Sequence, residues 1–190
     1  MKPQGTKPFI NYDANAKKYL LSIGINSFNQ IKFPGGTSAD RSHYCGGLDW
    51  IETETSIAFL IVPYNSEIHK TEASQMKPLN EHKLGTLYRE THEETGRSIT
   101  QEPFELEAAT VRMPNHTKYF FLIDGRTCRG ELLQDEINKF DPETGKPMYL
   151  PLEILNEVLY FHHRAPLKVA IDELCKISRE LCEKAMNKFV

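Results

Sequence analysis

The chain has 190 residues, 39% of them hydrophobic and 26% charged, a balance that supports one packed domain and excludes wholesale disorder. The formal charge of −3 argues against nucleic acid as a partner, since nucleic-acid binding relies on a broad basic surface. A small local basic pocket is still compatible with it.

Residues 1–15 are polar and lack an apolar signal core. The longest apolar run, residues 57–62, is far too short to span a bilayer. Cys45, Cys128, Cys175 and Cys182 form no C-x-x-C pair, which argues against a zinc ribbon. They read as buried or surface thiols of a reduced, cytoplasmic, soluble protein.

In chain order, residues 18–27 are rich in aromatic and β-branched types and predict a strand. Residues 30–33 predict a second, short strand that stops at Pro34-Gly35-Gly36. Two glycines after a proline let the backbone turn sharply and approach a ligand closely. Cys45-Gly46-Gly47 reads as a hairpin turn. The apolar run 57–64 predicts a buried strand, and polar residues 65–80, with Pro78, a loop.

A helix is expected from Asn80 or Glu81. Leu84, Leu87, Tyr88 and Thr91 recur at three- and four-residue steps and predict its core-facing stripe. Glu81, Arg89, Glu90, Glu93 and Glu94 fall mostly off that stripe. Thr95-Gly96 closes the helix, with Gly96 at a C′ position. Residues 104–112 and 118–124 predict strands joined through Pro114-Asn115-His116. Residues 131–140 read as a short helix or a loop, and 141–147 as a turn. A short helix is expected from about Leu152. A final amphipathic helix follows Pro166, with Leu167, Ala170, Ile171, Leu174, Ile177 and Leu181 on one face. The order of strands, helix, strands and helices predicts a mixed α/β fold.

The chemistry concentrates in the first helix. Residues three or four apart on a helix are neighbours, so Glu90, Glu93 and Glu94 converge. Close carboxylates compete for charge unless a cation sits among them. A hard divalent ion such as Mg²⁺ prefers oxygen ligands and commonly bridges to phosphates.

The stretch from Glu81 to Gly96 resembles the Nudix box of the Nudix hydrolases. Glu81 is followed after seven residues by Arg89-Glu90, and Glu93-Glu94 and Gly96 then fall in register. The box glycine is displaced or replaced, because Gln75 stands at its position. Thr91 and Arg97 fill sites where the family has bulky apolar residues. Phe33-Pro34-Gly35-Gly36 looks like the segment that precedes the box, yet 44 residues separate Gly36 from Glu81 where the family pattern has five. That spacing points to an insertion at about residues 37–80 within a single domain.

The resemblance implies an α/β/α sandwich with a mixed sheet. It also implies Mg²⁺ or Mn²⁺ held by Glu90, Glu93 and Glu94, with Gly35 and Gly36 at the substrate. Glu90, Glu93, Arg89 and Glu81 would serve catalysis, Arg89 by orienting a glutamate and Glu81 by supporting it. A late carboxylate is drawn from Glu131, Asp135 and Glu136, with Glu136 preferred. The implied activity is cleavage of the pyrophosphate linkage of a nucleoside diphosphate derivative. The alternative is a Nudix-fold nucleotide-binding or regulatory module without turnover. A homodimer is compatible with either.

Other residues have simpler readings. His162-His163-Arg164 are expected to cap a helix end. His92 is expected at the surface, as are Lys32 and Arg41 beside the glycine turn. Tyr44, Trp50 and Tyr64 are expected in core or hairpin packing.

Overall fold

The computed structural model describes residues 28–66 and 80–188 with their side chains, and 9–13 and 18–22 as backbone. Strands β1 (Phe9–Asp13) and β2 (Lys18–Ser22) pair antiparallel as a separate hairpin. Of the strand expected over 18–27, residues 23–27 lie outside the described residues, as do residues 67–79 of the expected loop.

The described sheet has eight strands. Its long members are β5 (His43–Glu52), β6 (Ile57–Tyr64) and β9 (Thr117–Asp124). The path through it runs β10 (Met148–Pro151), β6, β5, β9 and β7 (Phe104–Glu105). Three short strands attach: β3 (Gln30–Lys32) to β6, β4 (Gly35–Thr37) to β5, and β8 (Val111–Arg112) to β9. β5 and β9 run parallel and the other pairs antiparallel, so the sheet is mixed. The stretch 37–80, expected as an insertion, therefore contributes β5 and β6, the centre of the sheet.

Helices cover both faces. On one lies α1 (Lys83–Thr95), where Leu87 packs with Cys45, Phe121 and Ile123. On the other lie α2 (Leu152–Val158), α3 (Arg164–Ile177) and α4 (Arg179–Met186). Their Leu155, Leu167, Ile171 and Leu181 pack with Leu48, Phe59, Phe120 and Leu122. Alternate residues of β9 thus serve opposite cores, and a strand buried on both faces reads as an unbroken apolar run.

Several expectations need correction. Cys45-Gly46-Gly47 is not a hairpin turn but lies inside β5. A side chain at Gly46 would meet the Phe120 ring at 2.9 Å, and one at Gly47 would meet Ile123 at 2.9 Å and Leu87 at 3.3 Å. The glycines let β9 side chains lean across the strand and α1 lie close on it. The expected strand 104–112 is interrupted by a turn of 3₁₀ helix at Glu107–Ala109. Residues 131–140, expected as a short helix or a loop, form an irregular loop.

The helix after Pro166 is two helices, broken at Ser178, whose extended backbone and hydroxyl cap α4 by accepting from the Leu181 amide. Ile177 consequently turns outward and is exposed. Cys175 and Cys182 are joined as a disulfide across this break, correcting the expectation of thiols there. Among the described residues, no helix is long and apolar enough to cross a membrane.

Candidate functional site

Helix α1 begins at Lys83, two or three residues later than expected. His82 is its N-cap, and its Nδ1 accepts from the Leu84 amide at 3.3 Å. At the other end Gly96 takes the left-handed conformation, φ 80°, that favours glycine. The buried face consists of Thr86, Leu87, Glu90, Thr91, Glu94 and Thr95, while Tyr88 is 40% exposed. The stripe is rotated from the one predicted: Glu90 and Glu94 point into the protein, at 1% and 2% exposure. Burial of charge at this level requires partners.

Arg89 supplies several of them. Its Nε and Nη2 donate to the two carboxylate oxygens of Glu81 at 2.8 and 2.9 Å. Its Nη1 donates to Glu90 at 2.9 Å and to Glu93 at 3.2 Å, and Nη2 reaches the Thr37 carbonyl at 3.4 Å. Glu81 also accepts from the Thr86 hydroxyl at 2.7 Å, so that hydroxyl oxygen accepts in turn from His43 Nε2 at 2.7 Å. Burial lowers the His43 pKa, in keeping with a neutral ring.

Glu94 is held from the other side. Lys32 Nζ lies 3.0 and 3.3 Å from its two oxygens, and the Gly35 amide donates to it at 3.0 Å. Lys32 is 7% exposed, contrary to the expected surface position. Burial alone would discharge its ammonium, but the charge and hydrogen bond of Glu94, with Glu90 adding to them, more than offset this and hold its pKa above the ordinary value. Burial pushes the Glu94 carboxyl up, with Asp141 and Glu90 adding to the rise and Lys32 opposing it.

The third buried carboxylate is Asp141. Oxygens of Glu90, Glu94 and Asp141 lie within 4.8 Å of one another. Asp141 is placed by a turn that bonds to itself and to its surroundings. Asn138 Oδ1 accepts from the Phe140 and Asp141 amides, and its Nδ2 donates to the Glu93 carbonyl at 2.6 Å, where α1 ends. The Gly145 amide donates to the Pro63 carbonyl at the end of β6. Sequence reading placed Asp141 in a plain turn. The available signal was an Asp flanked by turn formers, which is common and unspecific.

Of the residues expected at the site, Glu81, Arg89, Glu90, Glu93 and Glu94 form one connected network. Glu93 sits at its partly exposed edge. Glu136 is exposed and stands outside the carboxylate group, as do Glu131 and Asp135. Gly35 and Gly36 abut the network: a side chain at Gly36 would lie 2.3–2.5 Å from the Glu90 carboxyl atoms. His162 and His163 lie in a turn of 3₁₀ helix that leads into α3, where His163 occupies the N-cap position without a side-chain capping bond. His163 is buried, accepts from the Phe33 amide at 3.0 Å and stacks on the Phe33 ring, and burial depresses its pKa to about 3.

The network opens on a cavity of about 1070 Å³. Lys32, Gly35, Gly36, Glu90 and Glu94 form one part of its wall. Arg41 and Lys118 add positive charge, and Tyr44, Phe120 and Tyr160 add aromatic surface. Arg41 occupies a left-handed backbone position, φ 57°, in a turn where Asp40 accepts from the Ser38 hydroxyl and the Ser42 amide.

No family model and no curated protein matches the chain. Among solved structures it is similar to a putative NUDIX hydrolase from Listeria monocytogenes, at 17% identity and a TM-score of 0.46, over 70% of this chain and 93% of that one. It is also similar to MutT, from a study of the Aliivibrio salmonicida and Vibrio cholerae proteins, at 13% identity and a TM-score of 0.42, over 75% and 97% of the two chains. A MutT protein from Bacillus halodurans follows at 15% and 0.38, over 73% and 78%. At such scores the likenesses carry no functional weight.

Proposed function

We propose that the chain is a Nudix-type pyrophosphohydrolase, a metal-dependent hydrolase that cleaves the pyrophosphate linkage of a nucleoside diphosphate derivative. The observation that carries this reading is the Arg89 fork on Glu81 with its second hand on Glu90. It fixes one of three buried carboxylates that meet, two of which, Glu90 and Glu94, line the wall of a cavity. An all-oxygen donor set of this kind fits a hard divalent cation.

Glu90, Glu94 and Asp141 would hold Mg²⁺ or Mn²⁺, with Glu93 at the edge. When bound, the ion would supply charge that neutralises phosphate oxygens and acidifies water. The chain's own residues do the rest. Arg89 keeps Glu90 and Glu93 oriented, and Glu81 keeps Arg89 oriented. Gly36 leaves room for Glu90 against the backbone, and the Gly35 amide holds Glu94. Arg41 and Lys118 suit an anionic substrate, and the aromatic wall suits a base. We assign the late carboxylate to Asp141 over Glu136.

A second reading, a nucleotide-binding module without turnover, is favoured by one observation: Lys32 already neutralises Glu94. Incubation with Mg²⁺ and a panel of nucleotide sugars, dinucleoside polyphosphates and nucleoside triphosphates separates the two. The hydrolase reading expects nucleoside monophosphate release that Glu90→Gln abolishes while the fold persists. Metal-dependent ligand binding with no product across the panel would favour the module.

A further inference from the structure

Lys32 is the buried lysine among the described residues. Its Nζ faces three oxygens: Gly35 O at 2.9 Å and the two oxygens of Glu94 at 3.0 and 3.3 Å. A backbone carbonyl and a carboxylate are the donors a hard divalent ion takes, and Glu94 is one of the three carboxylates that come together here. The ammonium thus stands on ligand atoms that a metal would need. Like charges a hydrogen-bond length apart in a buried site repel strongly, so one cation excludes the other.

We propose that Lys32 is a built-in cation that competes with the divalent metal for Glu94 and Gly35, and that metal entry displaces its ammonium into the cavity. This rests on the metal-dependent reading of the site. Lys32 lines the cavity, and its Nζ already lies 5.0 Å from the centre of the Tyr64 ring. A lysine stem has four rotatable carbons and needs no backbone movement to swing there. The consequence is a site in which Glu94 is paired without metal and which gains a phosphate-facing cation once metal is bound. Lys32 would then link metal occupancy to substrate affinity.

The test uses Mn²⁺ alone, with free Mn²⁺ read by electron paramagnetic resonance, on the wild type, Lys32→Met and Glu90→Gln. Lys32→Met should bind Mn²⁺ at least about tenfold tighter than the wild type, a relief of charge repulsion. Equal or weaker binding by a folded Lys32→Met, with wild-type binding lost in Glu90→Gln, would overturn the proposal and leave the metal site standing. No Mn²⁺ binding by any of the three would overturn both.

A second measurement avoids any folding defect of the variant. The wild type is treated briefly with acetic anhydride and the lysines are mapped by mass spectrometry. Lys32 should be protected without metal and acetylated at least about tenfold faster at saturating Mn²⁺, since reactivity follows exposure. Unchanged protection of Lys32 in the Mn²⁺-loaded protein would overturn the displacement.

Discussion

Arg89 and Glu81, eight positions apart, meet through two parallel hydrogen bonds of 2.8 and 2.9 Å, both partners largely buried. The planar guanidinium matches the carboxylate and still has a nitrogen left for Glu90. Lysine carries the charge but not the fork. Arg89→Lys should therefore lower kcat/KM by about 10- to 100-fold, the usual cost of losing a residue that orients metal ligands. Circular dichroism should be unchanged and Mn²⁺ affinity should fall with the activity. Full activity in Arg89→Lys would show that the fork orients nothing that matters.

Gly35 and Gly36 are adjacent but answer to different neighbours. A side chain at Gly35 would lie 2.3 Å from the Cys45 carbonyl and 2.7 Å from Gly46 Cα, both backbone atoms of β5. At Gly36 its three nearest atoms would all belong to the Glu90 carboxyl, at 2.3–2.5 Å. Gly35→Ala should cost about 1–3 kcal/mol of stability or more, as overpacking does. Gly36→Ala should displace Glu90 and lose Mn²⁺ affinity with a smaller stability cost. Urea unfolding and Mn²⁺ titration of both variants separate the two effects, and identical profiles would contradict the distinction.

The Arg89–Glu93 pair was legible in sequence from its four-residue helical spacing, and the roles of Glu81 and Glu90 beside Arg89 from the resemblance to the Nudix box. The rotation of the helix was not. Apolar periodicity assumes that glutamates face water, and here burial of Glu94 is offset by Lys32, 62 positions away. The same long-range pairing hid Lys32 itself, which by composition belongs at the surface. The strands of the apolar run 57–64 and of 118–124 were legible because both their faces are covered. Gly46 and Gly47 were misread because their smallness serves Phe120 and Ile123 of another strand, a fact absent from the local sequence. Asp141 depends on a turn whose bonds reach β6 and the end of α1.

Asp141 also separates two readings of the late carboxylate. It is buried beside Glu90 and Glu94, whereas Glu136 is exposed five positions earlier. Asp141→Asn keeps the size of the side chain and removes one negative charge from the donor set. Mn²⁺ affinity should drop by about 10-fold or more and hydrolysis with it, as loss of a metal-site partner does. Glu136→Gln should leave Mn²⁺ affinity within about twofold, as exposed substitutions usually do. The reverse ranking would return the role to Glu136.

Asp49 lies on β5 away from this network, at 2% exposure. Tyr149 Oη donates to its Oδ1 at 2.6 Å, and Cys128 Sγ lies 3.8 Å from its Oδ2. Burial pushes its carboxyl from 3.8 up to about 6, although the Tyr149 hydrogen bond and the Arg97 charge oppose the rise. The folded state therefore holds the Asp49 proton more tightly than the unfolded chain. The associated stability is fully present below pH about 4 and is lost as pH rises through about 6. Its size is on the order of 3 kcal/mol, since each tenfold gain in proton affinity is worth about 1.36 kcal/mol. Asp49→Asn keeps an oxygen to accept from Tyr149 and carries no charge at any pH. Urea unfolding of the wild type and Asp49→Asn should give similar stabilities below pH about 4 and a more stable variant at about pH 8. Taking the difference between the two proteins cancels the contribution of Glu94, which titrates in both. A wild type that gains on the variant as pH rises would mean that Arg97 and Tyr149, rather than burial, govern the charge of Asp49.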